Sequence, residues 1–248
     1  MRVDVALVPP TSVAPDTTCL VVDVLRATSV MAVLFGRGLR AGWLAGSIEE
    51  GRAIRAALGD RSGGIWLCGE ANSLPPEGYD YGNSPLEYEG LDLPAEAVLA
   101  TTNGTPALLV CAAAPLTMPA APLNAAAVVR VAFEAGRDVL IVCSGRVDAA
   151  TGRRVEGDDD TLAAGLLVER LVLLGARAGD EAVYALQQFE AARDHLGEVM
   201  RHTFHGASIS AIGFGPDLER CCEPDVYDTV ATLRMEDGRA VLRPLDRG

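Results

Sequence analysis

No lysine occurs anywhere in the 248 residues; all 21 basic side chains are arginine. A P-loop needs its lysine on the phosphates, and a Schiff-base enzyme needs a lysine amine, so both are excluded. So is the Asp-Lys-Cys site of isochorismatase-like hydrolases. Histidine is scarce as well: His195, His202 and His205 all lie in the C-terminal region, and no Ser-His-Asp order can be built from them. No C-x-x-C pair occurs among the six cysteines, four of which sit in apolar runs. They read as buried thiols of a reducing compartment, without a zinc site or a disulfide frame. No apolar stretch is long enough to span a membrane. The opening MRVDVALVPPTSVAPD carries an acid in its short apolar run, unlike a signal peptide. Positive charge is deficient, 34 acids against 21 bases giving a net charge of −13, which repels DNA and RNA backbones. The expectation is a soluble, cytoplasmic, globular protein with no nucleic-acid and no membrane partner; homo-oligomerisation is left open.

At 26.0 kDa the folded chain should expose roughly 10,500 Å² against roughly 38,000 Å² when extended, enough burial for a core without staples. Short β-branched runs alternate with Ala/Leu-rich stretches. Val3–Val8, Cys19–Val24, Gly42–Ala45, Ile65–Cys68, Val98–Thr101 and Val139–Cys143 read as strands. Ser29–Gly38, Ser47–Leu58, Thr105–Ala113, Leu123–Ala135 and Asp160–Leu174 read as helices, with Ser47 and Glu50 at capping-box spacing. The pattern changes near residue 175: helices are expected over Asp180–Gln188 and Ala191–His202, then a hairpin around Glu236-Asp237-Gly238. The prediction is a single α/β domain over 1–248, a three-layer α/β/α fold with a mixed, largely parallel sheet.

In open α/β sheets ligands sit outside the carboxyl ends of strands, and the uncommon polar residues gather at such ends. Asp23 follows the apolar run Leu20–Val22, with Arg26, Thr28 and a helix soon after. It suits a metal ligand or a nucleophile, with Arg26 on a phosphate or carboxylate and Thr28 as helix cap; the alternative is a local Asp23–Arg26 salt bridge. Leu25 occupies the place of the second aspartate of haloacid-dehalogenase phosphatases, which excludes that signature. Glu70 ends another strand, followed by Gly82-Asn83-Ser84-Pro85, a turn with exposed polar groups. Thr101-Thr102-Asn103-Gly104-Thr105-Pro106 leads a strand into a helix start, where free N–H groups make an anion site; Gly104 would allow close backbone approach or a positive φ. Cys143-Ser144-Gly145 ends a further strand, with Cys143 as core and Ser144 and Gly145 facing a ligand. Asp158-Asp159-Asp160 opens a helix. One aspartate caps it well, whereas three repel one another unless Mg²⁺ relieves them.

In order along the chain, Val22–Thr28, Gly69-Glu70, Gly82–Pro85, Thr101–Thr105, Leu123-Asn124-Ala125, Cys143–Gly145 and Asp159–Gly165 resemble the motifs of the 2-phosphosulfolactate phosphatases. A weaker likeness continues through Gly213–Asp217 and Cys221. The resemblance implies a Mg²⁺-dependent phosphatase of three-layer α/β fold, releasing phosphate from 2-phospho-3-sulfolactate in coenzyme M biosynthesis. Two positions depart from the family pattern: Ala71 stands where an arginine is usual, and Asp159 where a glutamate is usual.

The expected activity is therefore hydrolysis of a small anionic phosphoester. Asp23, Glu70 and Asp160 are expected to serve as catalytic groups, and with Asp159 as Mg²⁺ ligands. Arg26, Thr28, Asn83, Ser84, Thr101, Thr102, Asn103, Gly104, Thr105, Ser144 and Gly145 are expected to bind substrate. The rivals are a hydrolase using Cys143 as nucleophile and a non-catalytic anion-binding protein on the same scaffold.

Overall fold

The computed structural model describes residues 1–59 and 64–245. In chain order the strands and α-helices are β1 (Arg2–Ala6), β2 (Thr18–Val22), α1 (Ala27–Gly36), β3 (Ala41–Ala45), α2 (Ile48–Leu58), β4 (Ile65–Gly69), β5 (Glu96–Ala100), α3 (Gly104–Val110), β6 (Leu116–Ala120), α4 (Ala125–Glu134), β7 (Val139–Cys143), β8 (Arg146–Val147), β9 (Arg154–Val155), α5 (Asp158–Leu173), β10 (Arg177–Ala178), α6 (Asp180–Ala192), α7 (Leu196–His202), α8 (Phe204–Ala211), α9 (Gly215–Cys222), β11 (Ala231–Glu236) and β12 (Arg239–Pro244).

The fold is of the α/β class, with its main strands divided between two sheets. The first, in the order β10-β1-β7-β2-β6, is parallel throughout. The second, β11-β12-β3-β5-β4, is mixed: β3, β5 and β4 are parallel, and the C-terminal hairpin adds antiparallel to β3. A two-stranded ladder, β8 with β9, stands apart. All five β2 residues are buried, as expected for a parallel strand covered on both faces. One face of the first sheet packs Leu20 and Val22 against Val128 of α4 and Leu167 of α5. The other packs Cys19 and Val21 against Val30 and Leu34 of α1 and Leu108 of α3, which also meet Leu44 and Leu99 of the second sheet. Helices thus cover both faces of the first sheet, and the second sheet lies beyond α1 and α3, with Ile54 of α2 on its outer side. The exposed area of 10595 Å² agrees with the scaling expectation.

Local chemistry explains the element ends. The Ser47 side chain accepts from the Glu50 N–H at 3.1 Å, while the Glu50 carboxylate takes the Gly46 N–H at 2.7 Å. The reciprocal cap holds, displaced by one residue on the return side. Asp237 and Gly238, at φ 49° and 75°, make the tight turn of the final hairpin. Three features depart from the sequence reading. Leu116–Ala120 is a strand despite Pro119, since it lies at the end of the first sheet's strand order. The β8–β9 ladder and helices α8 and α9 are additional. Just after residue 175, β10 pairs in parallel with β1. The last three residues of the expected 176–248 segment lie outside the described residues.

Candidate active site

Asp23 begins the loop from β2 to α1 and is buried. The Thr28 hydroxyl donates to the Asp23 carbonyl at 2.9 Å and accepts the Asp23 N–H at 3.1 Å, closing the loop on itself. The expected cap role of Thr28 is therefore corrected: Arg26 is the residue that precedes the helix, and Thr28 locks the loop. The Ala27 N–H donates to Asp23 Oδ1 at 3.3 Å. Burial chiefly, with the charges of Glu70 and Asp159, pushes the Asp23 carboxyl up to about 6, while His205 and the Ala27 N–H pull the other way.

Asp160 ties three segments together. Its Oδ1 accepts the Val24 N–H at 3.0 Å, and its Oδ2 accepts the Ser144 hydroxyl at 2.9 Å and the Gly145 N–H at 3.0 Å. The first turn of α5 is thereby fastened to the ends of β2 and β7. Burial and the neighbouring Asp159 and Asp23 raise the Asp160 carboxyl well above the usual range. Asp159, one residue earlier, faces His205 of α8, with Nδ1 and Oδ2 3.1 Å apart. Burial alone would lower the imidazole, but the hydrogen bond to Asp159 and the charges of Asp159, Asp23 and Asp160 raise it to about 9. His205 is a site residue that sequence reasoning misses: three histidines fall within one C-terminal stretch and no motif marks this one.

From the second sheet comes Glu70, at the end of β4. Its Oε1 accepts the Thr102 N–H at 2.7 Å and its Oε2 the Ser73 N–H at 2.9 Å. Thr101 and Thr105 exchange hydrogen bonds, Thr105 N–H to Thr101 Oγ1 at 2.9 Å and Thr101 N–H to Thr105 Oγ1 at 3.0 Å. The Thr101, Thr102 and Thr105 amides are thus used internally, which corrects the picture of a loop with all its N–H groups free for an anion. Asn103 precedes α3 without a side-chain cap; its Oδ1 instead accepts Nη1 of Arg154 at 3.0 Å. Asn83 lines a small cavity with Ala27, Gly69 and Thr101.

Arg26 is placed differently from the sequence expectation. Its side chain is 2% exposed; Nη1 donates to Asp217 Oδ2 at 2.6 Å and Nη2 to the Ser73 carbonyl at 2.7 Å, and the guanidinium lies 4.3 Å from the Phe214 ring centre. The Ser84 hydroxyl takes the other Asp217 oxygen at 2.7 Å. Arg26 and Ser84 therefore form a buried brace between α1, the Gly82–Pro85 turn and α9. The local pair Asp23–Arg26 does not form; the partner is 191 residues away. Cys143 is fully buried, and that burial, with the charges of Asp160, Asp159 and Glu156, pushes its thiol well up. A thiol so held is a core group, not a nucleophile.

A family model described as 2-phosphosulpholactate phosphatase matches residues 5–236. The chain belongs to this family. It is similar to a probable 2-phosphosulfolactate phosphatase of Thermotoga petrophila, 35% identical over 93% of this chain and 95% of the relative. A protein of the same description from Deinococcus radiodurans is 35% identical over 94% of this chain and 93% of its own length. Another, from Thermus thermophilus, is 32% identical over 98% of each. Membership places the chain among the phosphoric monoester hydrolases, and no helix of the described residues is long and apolar enough to cross a membrane.

For a 2-phosphosulfolactate phosphatase family member, the fit to a divalent ion can be tested on the donor set. Among the described residues, no group of three or more His, Cys, Asp or Glu side chains is placed to hold a metal. Mg²⁺ needs no such cage, since one or two carboxylates suffice when phosphate and water complete its shell. Asp160 and Glu70 have both oxygens taken by N–H or O–H donors. Asp23 Oδ2 and Asp159 Oδ1 take no hydrogen bond among the described residues. Asp23 and Asp159 are thus the carboxylates with an oxygen free of hydrogen bonds, while Asp160 and Glu70 also hold the surrounding loops.

Proposed function

We propose that the chain is a Mg²⁺-dependent phosphatase that converts 2-phospho-3-sulfolactate to 3-sulfolactate and inorganic phosphate. The observation that carries the reading is the gathering of four carboxyls, Asp23, Glu70, Asp159 and Asp160, at the strand and helix ends of both sheets. Two of them accept hydrogen bonds on both oxygens, and two keep one oxygen without a hydrogen bond. Phosphoryl transfer asks for positioning and charge neutralisation more than covalent chemistry. When bound by Asp23 and Asp159, Mg²⁺ would neutralise charge on the phosphoryl oxygens. The protein's own groups do the rest. Asp160 and Glu70 hold the β2, β5 and β7 loops at fixed separations. His205, hydrogen-bonded to Asp159 through Nδ1, is the imidazole of the cluster and would give a proton to the departing 2-oxygen as its bond to phosphorus breaks and a water oxygen takes its place.

The test is phosphate release from 2-phospho-3-sulfolactate by the purified chain. Release should stop in EDTA and return with Mg²⁺, and Asp23→Asn should nearly abolish it with the melting temperature retained. Full release in EDTA would refute the metal. Cys143→Ala should keep turnover within a few-fold, and iodoacetamide should leave the native protein active; inactivation by alkylation at Cys143 would favour the thiol-dependent rival instead.

A further inference from the structure

We propose that Arg154 binds an oxyanion of the substrate, a role that rests on the phosphatase reading above. Two other arginines of the segments around the acid cluster are committed. Arg26 is neutralised by Asp217 in a buried pair. Arg146 pairs with Asp148 at 3.9 Å and lies over the Phe204 ring at 4.3 Å.

Arg154 is different. It sits in β9, part of the ladder that links the end of β7 to the start of α5, with Val147 opposite it. Its Nη1 donates to the Ser144 carbonyl at 2.7 Å and to Asn103 Oδ1 at 3.0 Å. Among the described residues no carboxylate pairs with it, and Nε and Nη2 make no hydrogen bond. Yet both of its partners lie next to the acids. The Ser144 hydroxyl goes to Asp160, and Asn103 precedes Gly104, where a Cβ would meet Asp23 Oδ2 at 2.7 Å. Arg154 is thus tied to the two segments that adjoin the acids, in a chain of net charge −13. Its own hydrogen bonds go to two neutral oxygens, and among the described residues it forms no ion pair.

The geometry suits a bidentate contact. With one nitrogen fixed by two acceptors, the planar guanidinium presents its remaining donors in a set direction, as phosphate, sulfonate and carboxylate recognition requires. Arg154 is half-buried, so its charge is screened less than that of a surface arginine. A cluster of acids repels an anionic substrate, and a cation at its edge offsets that repulsion.

The experiment compares the wild-type chain with Arg154→Gln and Arg154→Lys in the presence of Mg²⁺. Glutamine removes the charge and leaves one amide group on a shorter stem; lysine keeps the charge without the fork. KM for 2-phospho-3-sulfolactate should rise roughly 10- to 100-fold in the glutamine variant, the scale of a lost charge-assisted hydrogen bond, and less in the lysine variant. In both, kcat should stay within about threefold. Inhibition constants of inorganic phosphate and of 3-sulfolactate then locate the contact. The one that rises with KM names the group bound, phosphoryl in the first case and the acid end in the second. An unchanged KM in Arg154→Gln overturns the assignment, as does an equal loss of kcat and melting temperature in both variants, which would mark a structural tie only. Absence of turnover in the wild type would sink the phosphatase reading by itself. The melting shift induced by inorganic phosphate and by 3-sulfolactate would still decide Arg154: one present in wild type and lost in Arg154→Gln upholds it, and no such difference rejects it.

Discussion

Gly104 lies directly against Asp23. A Cβ built on the glycine would stand 2.7 Å from Asp23 Oδ2 and 2.5 Å from the Ala27 Cβ, so the start of α3 and the β2–α1 loop touch at this residue. Its φ is not positive, and the requirement for glycine is therefore contact and not backbone conformation. Gly104→Ala should displace the Asp23 carboxylate, lowering turnover about 100-fold or more, with a stability loss of about 1–3 kcal/mol from overpacking. Steady-state kinetics and urea unfolding read the two effects separately; normal turnover would show that Asp23 tolerates displacement.

The Arg26–Asp217 pair should behave as a structural brace. Both side chains are 2% exposed. Asp217→Asn leaves a buried guanidinium without its counter-charge, so unfolding free energy should fall by about 3–5 kcal/mol. Were Arg26 a phosphate contact, the same change would free it and tighten phosphate binding. Denaturant unfolding alongside phosphate inhibition distinguishes these.

The acid cluster also predicts how the metal-free protein responds to pH. His205 is raised to about 9, so its stabilising contribution is complete below its ordinary value of about 6.5 and is lost as pH rises through 9. Asp23 is raised to about 6, so its favourable protonated form is lost over the lower interval from about 4 to 6. In EDTA the melting temperature should decline in both windows. His205→Gln should flatten the upper decline and, by removing a charge that holds the Asp23 carboxyl down, carry the lower one to higher pH; an unaltered upper decline would remove His205 from the cluster.

How far the sequence discloses this arrangement depends on how local each feature is. The β2, β4, β5 and β7 strands are continuous apolar runs and can be read directly, as can the Ser47 cap and the Asp237-Gly238 turn. The acids at their ends follow, because Asp23, Glu70 and Asp160 each adjoin a recognisable element. What is not legible is long-range. Asp217 reaches Arg26 across 191 positions, His205 reaches Asp159 across 46 and Arg154 reaches Asn103 across 51. No periodicity records such partners, so Arg26 reads as a ligand contact until its counter-charge is seen. The division into two sheets is hidden for the same reason, since it depends on which strands stop pairing.

Pro119 bears on that division. β6 closes the first sheet, and β11, the outer strand of the second, runs close to it. Proline brings no N–H to such a junction, and the side-chain amide of Asn124 donates to the Pro119 carbonyl at 3.2 Å. Among the described residues no main-chain ladder joins the two sheets. Asp23 and Glu70 thus belong to separately hydrogen-bonded blocks, joined by interior packing and by side-chain struts. Amide hydrogen exchange can then open one block while the other stays protected.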